Sequence, residues 1–267
     1  MDAPNRAELS IFITGADGQM KARADGTDRA VLVYTSAYEE GDAIHMTGGT
    51  GYVTALLEDS MAETFGYLAG EFVLEVPFGE KRISYSPKSF TGERHLLWVR
   101  RAEPQEVEAR RNLARNVLDS HDNRGLFPHA SANVETRGES VFAARNAIDG
   151  CYANDSHGQW PYQSWGINRD PNAELRLDFG RPVRIDQLVF TLRADFPHDS
   201  WWDRCTVWFS DGSELEVPLV KTGERQRVDL PVRTVEWLKV GRLIKNQAAP
   251  SPFPALTQLE VWGTEAL

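Results

Sequence analysis

The sequence predicts an all-β protein built from two antiparallel, jelly-roll-like β-sandwiches joined by a short helical linker. Three observations predict it: short apolar segments that alternate with period two, glycine and proline turn signals at close intervals, and no long amphipathic helical pattern between them. In the first hundred residues, the stretches 9–14, 30–35, 51–57, 71–76 and 95–100 are rich in β-branched and aromatic types and read as strands. Gly15-Ala-Asp-Gly18, Ala24-Asp-Gly26, Gly41-Asp42, Gly48-Gly49 and Pro77-Phe-Gly79 punctuate them as turns. Residues 1–102 are therefore expected to form the first sandwich, of unknown role.

Residues 103–111 break this pattern. Pro104 suits a first helical turn, acidic residues lie early, and Arg110 and Arg111 lie late, as the helix dipole favours. A linker helix is expected there. A second run of strands then fills residues 112–267. In 174–179, Leu175, Leu177 and Phe179 share one face while Glu174, Arg176 and Asp178 share the other. The stretches 187–192, 205–209, 214–217, 227–232, 235–240 and 258–262 continue in the same style.

A chain of 267 residues with 41% hydrophobic and 25% charged residues has room for two ordinary cores without disulfides or metal. The net charge of −10 is spread over both halves: residues 1–103 hold 10 basic and 16 acidic residues, and the rest hold 19 and 23. Nucleic acid is excluded as a partner, because phosphate binding needs concentrated positive charge. The first residues carry no basic and apolar leader and no stretch is long enough to span a bilayer, so a cytoplasmic location is expected, with an extracellular one requiring another export route. A membrane partner is not expected, since the acidic balance disfavours anionic lipid. Cys151 and Cys205 are too few for a disulfide scaffold; Cys205 alternates with Val207 and Phe209 and is expected in the core, and a bridge to Cys151 is left open. The oligomeric state is open as well.

Five segments carry a family signal: Phe142-Ala-Ala-Arg-Asn-Ala-Ile-Asp-Gly150, the pair Trp160 and Trp165, Ala173-Glu-Leu-Arg-Leu-Asp-Phe-Gly180, Thr206-Val-Trp-Phe-Ser-Asp-Gly-Ser213 and Leu259-Glu-Val-Trp-Gly263. Together they resemble the discoidin or coagulation-factor (F5/8) type C domain family, galactose-binding-like proteins that include many carbohydrate-binding modules, over residues 112–265. The resemblance implies a sandwich that holds a saccharide at its loop end with an aromatic, a His, an Arg and an Asn. It also implies a structural calcium held by Asp149, Asn154 and Glu260. Cys151 stands where an acidic residue or Asn is usual and is a poor calcium ligand, so an Asp149-Gly150 turn that accepts backbone N–H groups is the alternative.

The candidate ligand residues follow from sugar chemistry. Sugar C–H faces stack on aromatic rings, and sugar hydroxyls pair with planar polar groups. The loop 193–204 is dense in both types: Trp201 and Trp202 supply rings, and Arg193, Asp195, His198 and Arg204 supply polar partners. Trp160 in the cluster 157–168 and Phe253 in a proline-stiffened loop are further candidates, whereas Trp165 reads as core. No catalytic residue is assigned. Gly48-Gly-Thr-Gly51 lacks the Lys and helix start of a phosphate loop, and His45, His95, His121 and His129 stand apart in sequence. A non-catalytic carbohydrate-binding protein is the leading expectation. The alternatives are a cytosolic sugar-active enzyme or accessory subunit that uses the interdomain cleft, with His198 and its neighbouring Asp residues as acid–base groups, and a protein or phospholipid adhesion domain.

Overall fold

The structure is a computed structural model and describes residues 7–153, 155, 158–194 and 200–266. Among them two antiparallel sheets, of seven and eight strands, each fold over their own core. The first holds β1 (Leu9–Thr14), β2 (Met20–Gly26), β3 (Arg29–Tyr34), β4 (Ala43–Leu56), β5 (Thr64–Glu75) and β6 (His95–Arg101). β4 and β5 pair along their whole length, and their ladder shifts register between Thr47 and Gly49, where Gly49 takes φ 72°. Before that bulge β4 pairs with β1; after it, β4 pairs with β6, which carries β3. One sheet thus supplies two layers. Strand alternation sends Ala30, Leu32 and Tyr34 inward, to meet Ile11, Ile44, Phe72, Leu97 and Val99.

The linker is α1 (Pro104–Glu108), shorter than the sequence suggested. Its capping box pairs the Glu103 side chain with the third helical N–H and Glu106 with the Glu103 N–H at 2.7 Å. Arg100 grips Glu106 through two bonds of 2.7 Å. β7 (Arg111–Asn112) follows, and then β8 (Leu126–Phe127), which pairs with Tyr67 and Leu68 of β5. Val117, Leu118 and Leu126 pack into the first core, which therefore runs past the expected boundary at residue 112. Gly125 permits this docking: a Cβ there would lie 1.6 Å from the Glu71 carbonyl oxygen.

The second sheet contains β9 (His129–Ala132), β10 (Trp165–Gly166), β11 (Leu175–Leu192), β12 (Trp202–Phe209), β13 (Glu214–Pro218), β14 (Gln226–Lys245) and β15 (Ala255–Glu265), with β7 on the edge of β15. Its main order is β10-β15-β11-β14-β12-β13. Two pairs of expected strands are single long ones. β11 absorbs the break at Gly180, whose φ of 65° and position against the Phe127 ring, 2.4 Å from a notional Cβ, both require glycine. β14 runs through Pro231 by a shift of pairing, from Asp229 with Gln187 to Arg233 with Ile185. Trp165, Phe179, Phe190, Trp202, Cys205 and Phe209 fill the core, each large apolar side chain contributing about 1.5–3 kcal/mol through burial. Both cysteines are free thiols.

Candidate functional site

β10 pairs with β15 through Trp165 with Leu256 and Gly166 with Ala255, which sets segment 164–169 beside segment 253–255. The turns Thr136–Gly138 and Ser140–Phe142 close over them and leave a cleft of about 120 Å³ at one end of the second sandwich. Gly166 keeps its floor open, since a Cβ there would lie 2.6 Å from Thr136 Oγ1. That same hydroxyl accepts the Asn168 N–H at 2.9 Å, and it fixes a turn in which Asn168 and Arg169 take φ 48° and 61° with both side chains exposed.

Two rings wall the cleft. Phe253 is half-buried and carries the Arg169 guanidinium 4.2 Å from its centroid. Phe142 packs edge-on to Tyr162 and has the Arg137 guanidinium 5.5 Å away. Arg193, which is 2% exposed, reaches the cleft from below: its N–H donates to Ala255 O at 2.9 Å and its Nη1 to Tyr162 O at 2.6 Å. Ser164 is fully buried, and its Oγ has no hydrogen-bond partner among the described residues. The cleft thus offers ring faces, guanidinium donors and a carboxamide.

No protein-family model matches this chain, and no curated protein does. Among solved structures, the chain is similar to chitosan-binding module 1 of a chitosanase/glucanase from Paenibacillus sp. IK-5 at 17% identity and TM-score 0.40, with 57% of this chain and 99% of that one covered. It is similar to the lectin domain of lectinolysin complexed with Lewis B antigen at 16% identity and TM-score 0.42, covering 58% and 97%. It is also similar to the family 32 carbohydrate-binding module of C. perfringens NanJ in complex with galactose at 18% and 0.38, covering 50% and 91%.

Of the residues expected to bind ligand, Arg193 and Phe253 meet in the cleft. Asp195 and His198 lie outside the described residues. Trp202 does not face ligand: it is 1% exposed and packs in the second core, because β12 already alternates at that point. Trp201 is partly buried, donates from Nε1 to Asp203 Oδ1 at 3.2 Å and carries the Lys221 ammonium at 5.3 Å. Arg204 is exposed on β12 and faces Glu216 at 3.5 Å. Trp160 lines a separate recess with Arg115 and Arg145 that shares no residue with the cleft. Arg137, Phe142, Ser164, Asn168 and Arg169 escaped the sequence reading. The one available signal was Asn168, a residue type that tolerates the left-handed conformation, directly after the core Trp165-Gly166 pair.

The implied calcium set does not assemble. Asn154 lies outside the described residues, and no three of His, Cys, Asp and Glu cluster among those that are described. Glu260 holds Arg225 at 2.7 and 2.5 Å and accepts from Trp262 Nε1 at 2.8 Å. Gln258, two residues earlier on β15, meets Asp149 instead. Its Nε2 lies 2.7 Å from Asp149 Oδ1, 2.7 Å from Asn146 O and 2.7 Å from Thr257 O, and its Oε1 accepts the Gly150 N–H at 3.0 Å. Cys151 N and Gln163 Nε2 also donate to Asp149. Desolvation pushes the Asp149 carboxyl above the ordinary range, opposed by the nearby Arg145 charge. An amide nitrogen fills the oxygen cage that a cation would need, so the residues present do not fit a calcium ion.

Three of the four described histidines are engaged away from the cleft. His45 stacks on Phe12 at 4.4 Å, His95 lies against Tyr38 at 4.3 Å, and His129 faces Asp119 at 2.9 Å.

Proposed function

We propose that this chain is a non-catalytic carbohydrate-binding protein whose saccharide enters the loop-end cleft of the second sandwich. A sugar ring lies against Phe253, with its hydroxyls toward Asn168, Arg169 and Arg193. The observation that carries the reading is the rim of the cleft, where the half-buried Phe253 ring, the Arg169 guanidinium 4.2 Å from its centroid and the exposed Asn168 stand together. The adjacent ring and guanidinium groups supply the stacking and the planar donors that saccharides need.

The test is a glycan-array screen of the full chain, followed by calorimetric titration of the best ligand against Phe253→Ala, Asn168→Gly and Trp201→Ala. The expected result is that the first two weaken binding about tenfold, roughly 1.4 kcal/mol, and the third leaves it unchanged. Absence of any glycan binding, or loss confined to Trp201→Ala, overturns the reading in favour of a protein-interaction role or a site on the β12 loop respectively.

A further inference from the structure

A second cavity, of about 480 Å³, opens where the first sheet meets the linker strand and the last strand. That volume lies in the range of small-molecule sites, about 300–1,000 Å³. Phe65 comes from β5, Arg111 from β7, Arg181 from the bend of β11, and Trp262 and Glu260 from β15, so only the packing of one half on the other creates it.

Its charge departs from that of the chain. Four guanidiniums, Arg111, Arg115, Arg181 and Arg225, line the cavity of a protein whose net charge is −10. Arg225 is matched by Glu260. Arg111 and Arg181 close on a single carboxylate, Glu265, which leaves one positive charge over at a position where both guanidiniums are largely buried. Arg115 is exposed, lies over Gly150 and has no acidic partner among the described residues. Two uncompensated positive charges therefore face one space. Burial lowers the proton affinity of Arg111, with Glu265 opposing the shift and the Arg181 charge adding to it. Beside Arg115 stands Tyr152, which is 46% exposed and lines the cavity, with its hydroxyl bonded to Glu260.

We propose that this cavity is a second ligand site, taking a sugar ring that carries an oxyanion, either carboxylate or phosphate. The ring rests on Tyr152 and the oxyanion meets Arg115 and the surplus charge of the Arg111–Arg181 pair. Guanidinium forks match both oxyanions in a bidentate manner, and an aromatic face distinguishes a ring-bearing anion from a bare one.

Fluorescence titration of the full chain with glucuronate, glucose 6-phosphate, glucose and inorganic phosphate tests this. The expected result is saturable binding of one or both acidic sugars, at least tenfold tighter than glucose and than inorganic phosphate, and weakened by added salt. Whichever acidic sugar binds names the oxyanion. Arg115→Ala and Tyr152→Ala replace exposed side chains, and unchanged thermal melts would confirm that both fold; each is expected to lose tenfold or more in affinity. Loss of the same affinity in Phe253→Ala places the binding in the loop-end cleft and overturns the proposal, so the two sites fail separately. No saturable binding of either acidic sugar, equal binding of glucose, or full affinity in Arg115→Ala overturns the proposal.

Discussion

Arg181 and Glu265 form a buried two-pronged ion pair, Nε to Oε2 at 2.9 Å and Nη2 to Oε1 at 2.6 Å, that ties the bend of β11 to the end of β15. The same carboxylate accepts the Tyr52 hydroxyl of the first sheet at 2.9 Å and the Arg111 guanidinium of the linker strand. One side chain thus joins both sheets and the segment between them. Glu265→Ala leaves two guanidiniums buried beside no carboxylate, at an expected cost of about 3–5 kcal/mol. Tyr52→Phe removes one hydrogen bond, about 1 kcal/mol. Urea unfolding of the two single variants and the double measures this, and the double is expected to fall short of their sum because they share a partner.

Trp202 is structural. Trp202→Ala is expected to cost about 3–5 kcal/mol by opening a cavity in the second core. Trp202→Phe is expected to cost far less, because the indole N–H has no acceptor among the described residues and no hydrogen bond is lost. Thermal melts check both, and the phenylalanine variant is expected to keep full saccharide affinity.

Chelator is expected to leave the melting temperature of the protein unchanged, since the Gln258 amide sits where a cation would. Gln258→Glu sets a second carboxylate against Asp149 and is expected to lower the melting temperature by several degrees in chelator. Calcium at millimolar concentration is expected to restore it, because two carboxylates and the Asn146, Thr257 and Cys151 carbonyls then make an oxygen shell. A melt of the parent protein that falls on adding chelator would contradict the cage as described.

The linker cap depends on pH. The Arg100 guanidinium holds the Glu106 carboxyl down, from 4.5 to about 2, assisted by the Glu103 N–H and opposed by desolvation. A depressed carboxylate stabilises the fold above its unfolded value and loses that contribution as pH falls through its folded value. The stability gap between the parent and Glu106→Gln is therefore expected to be constant above about pH 5, to shrink between about 4.5 and 2, and to vanish below. Because the pair is partly exposed and solvent-screened, the gap is expected to be no more than about 1 kcal/mol, read by urea titration at each pH.

The strands were legible where a period-two pattern stood alone, as in β1, β3 and β6. β2 was not, because Met20 to Gly26 is mostly polar or small and lies exposed or half-exposed along a sheet edge. Gly180 read as a strand end because it breaks local propensity, and 227–232 and 235–240 read as two strands, yet in each case the chain bends within one continuous strand. Arg193 and Phe253 stood out by their chemistry, and both line the cleft. Trp202 was misread because loop density of aromatics does not tell which of two adjacent rings faces in; the register of β12 decides that.

By itself, the sequence determined the all-β class, the short linker helix and the burial of Trp165 and Cys205, because these follow from local period, turn chemistry and residue type. Only the tertiary structure decided that Ser164 lacks a partner, that Gln258 meets Asp149 in place of Glu260, and that four arginines share one cavity. Those facts depend on which distant segments come into register, and a charge, a hydroxyl or an amide acquires its meaning only from the groups that packing brings within about 3 Å of it.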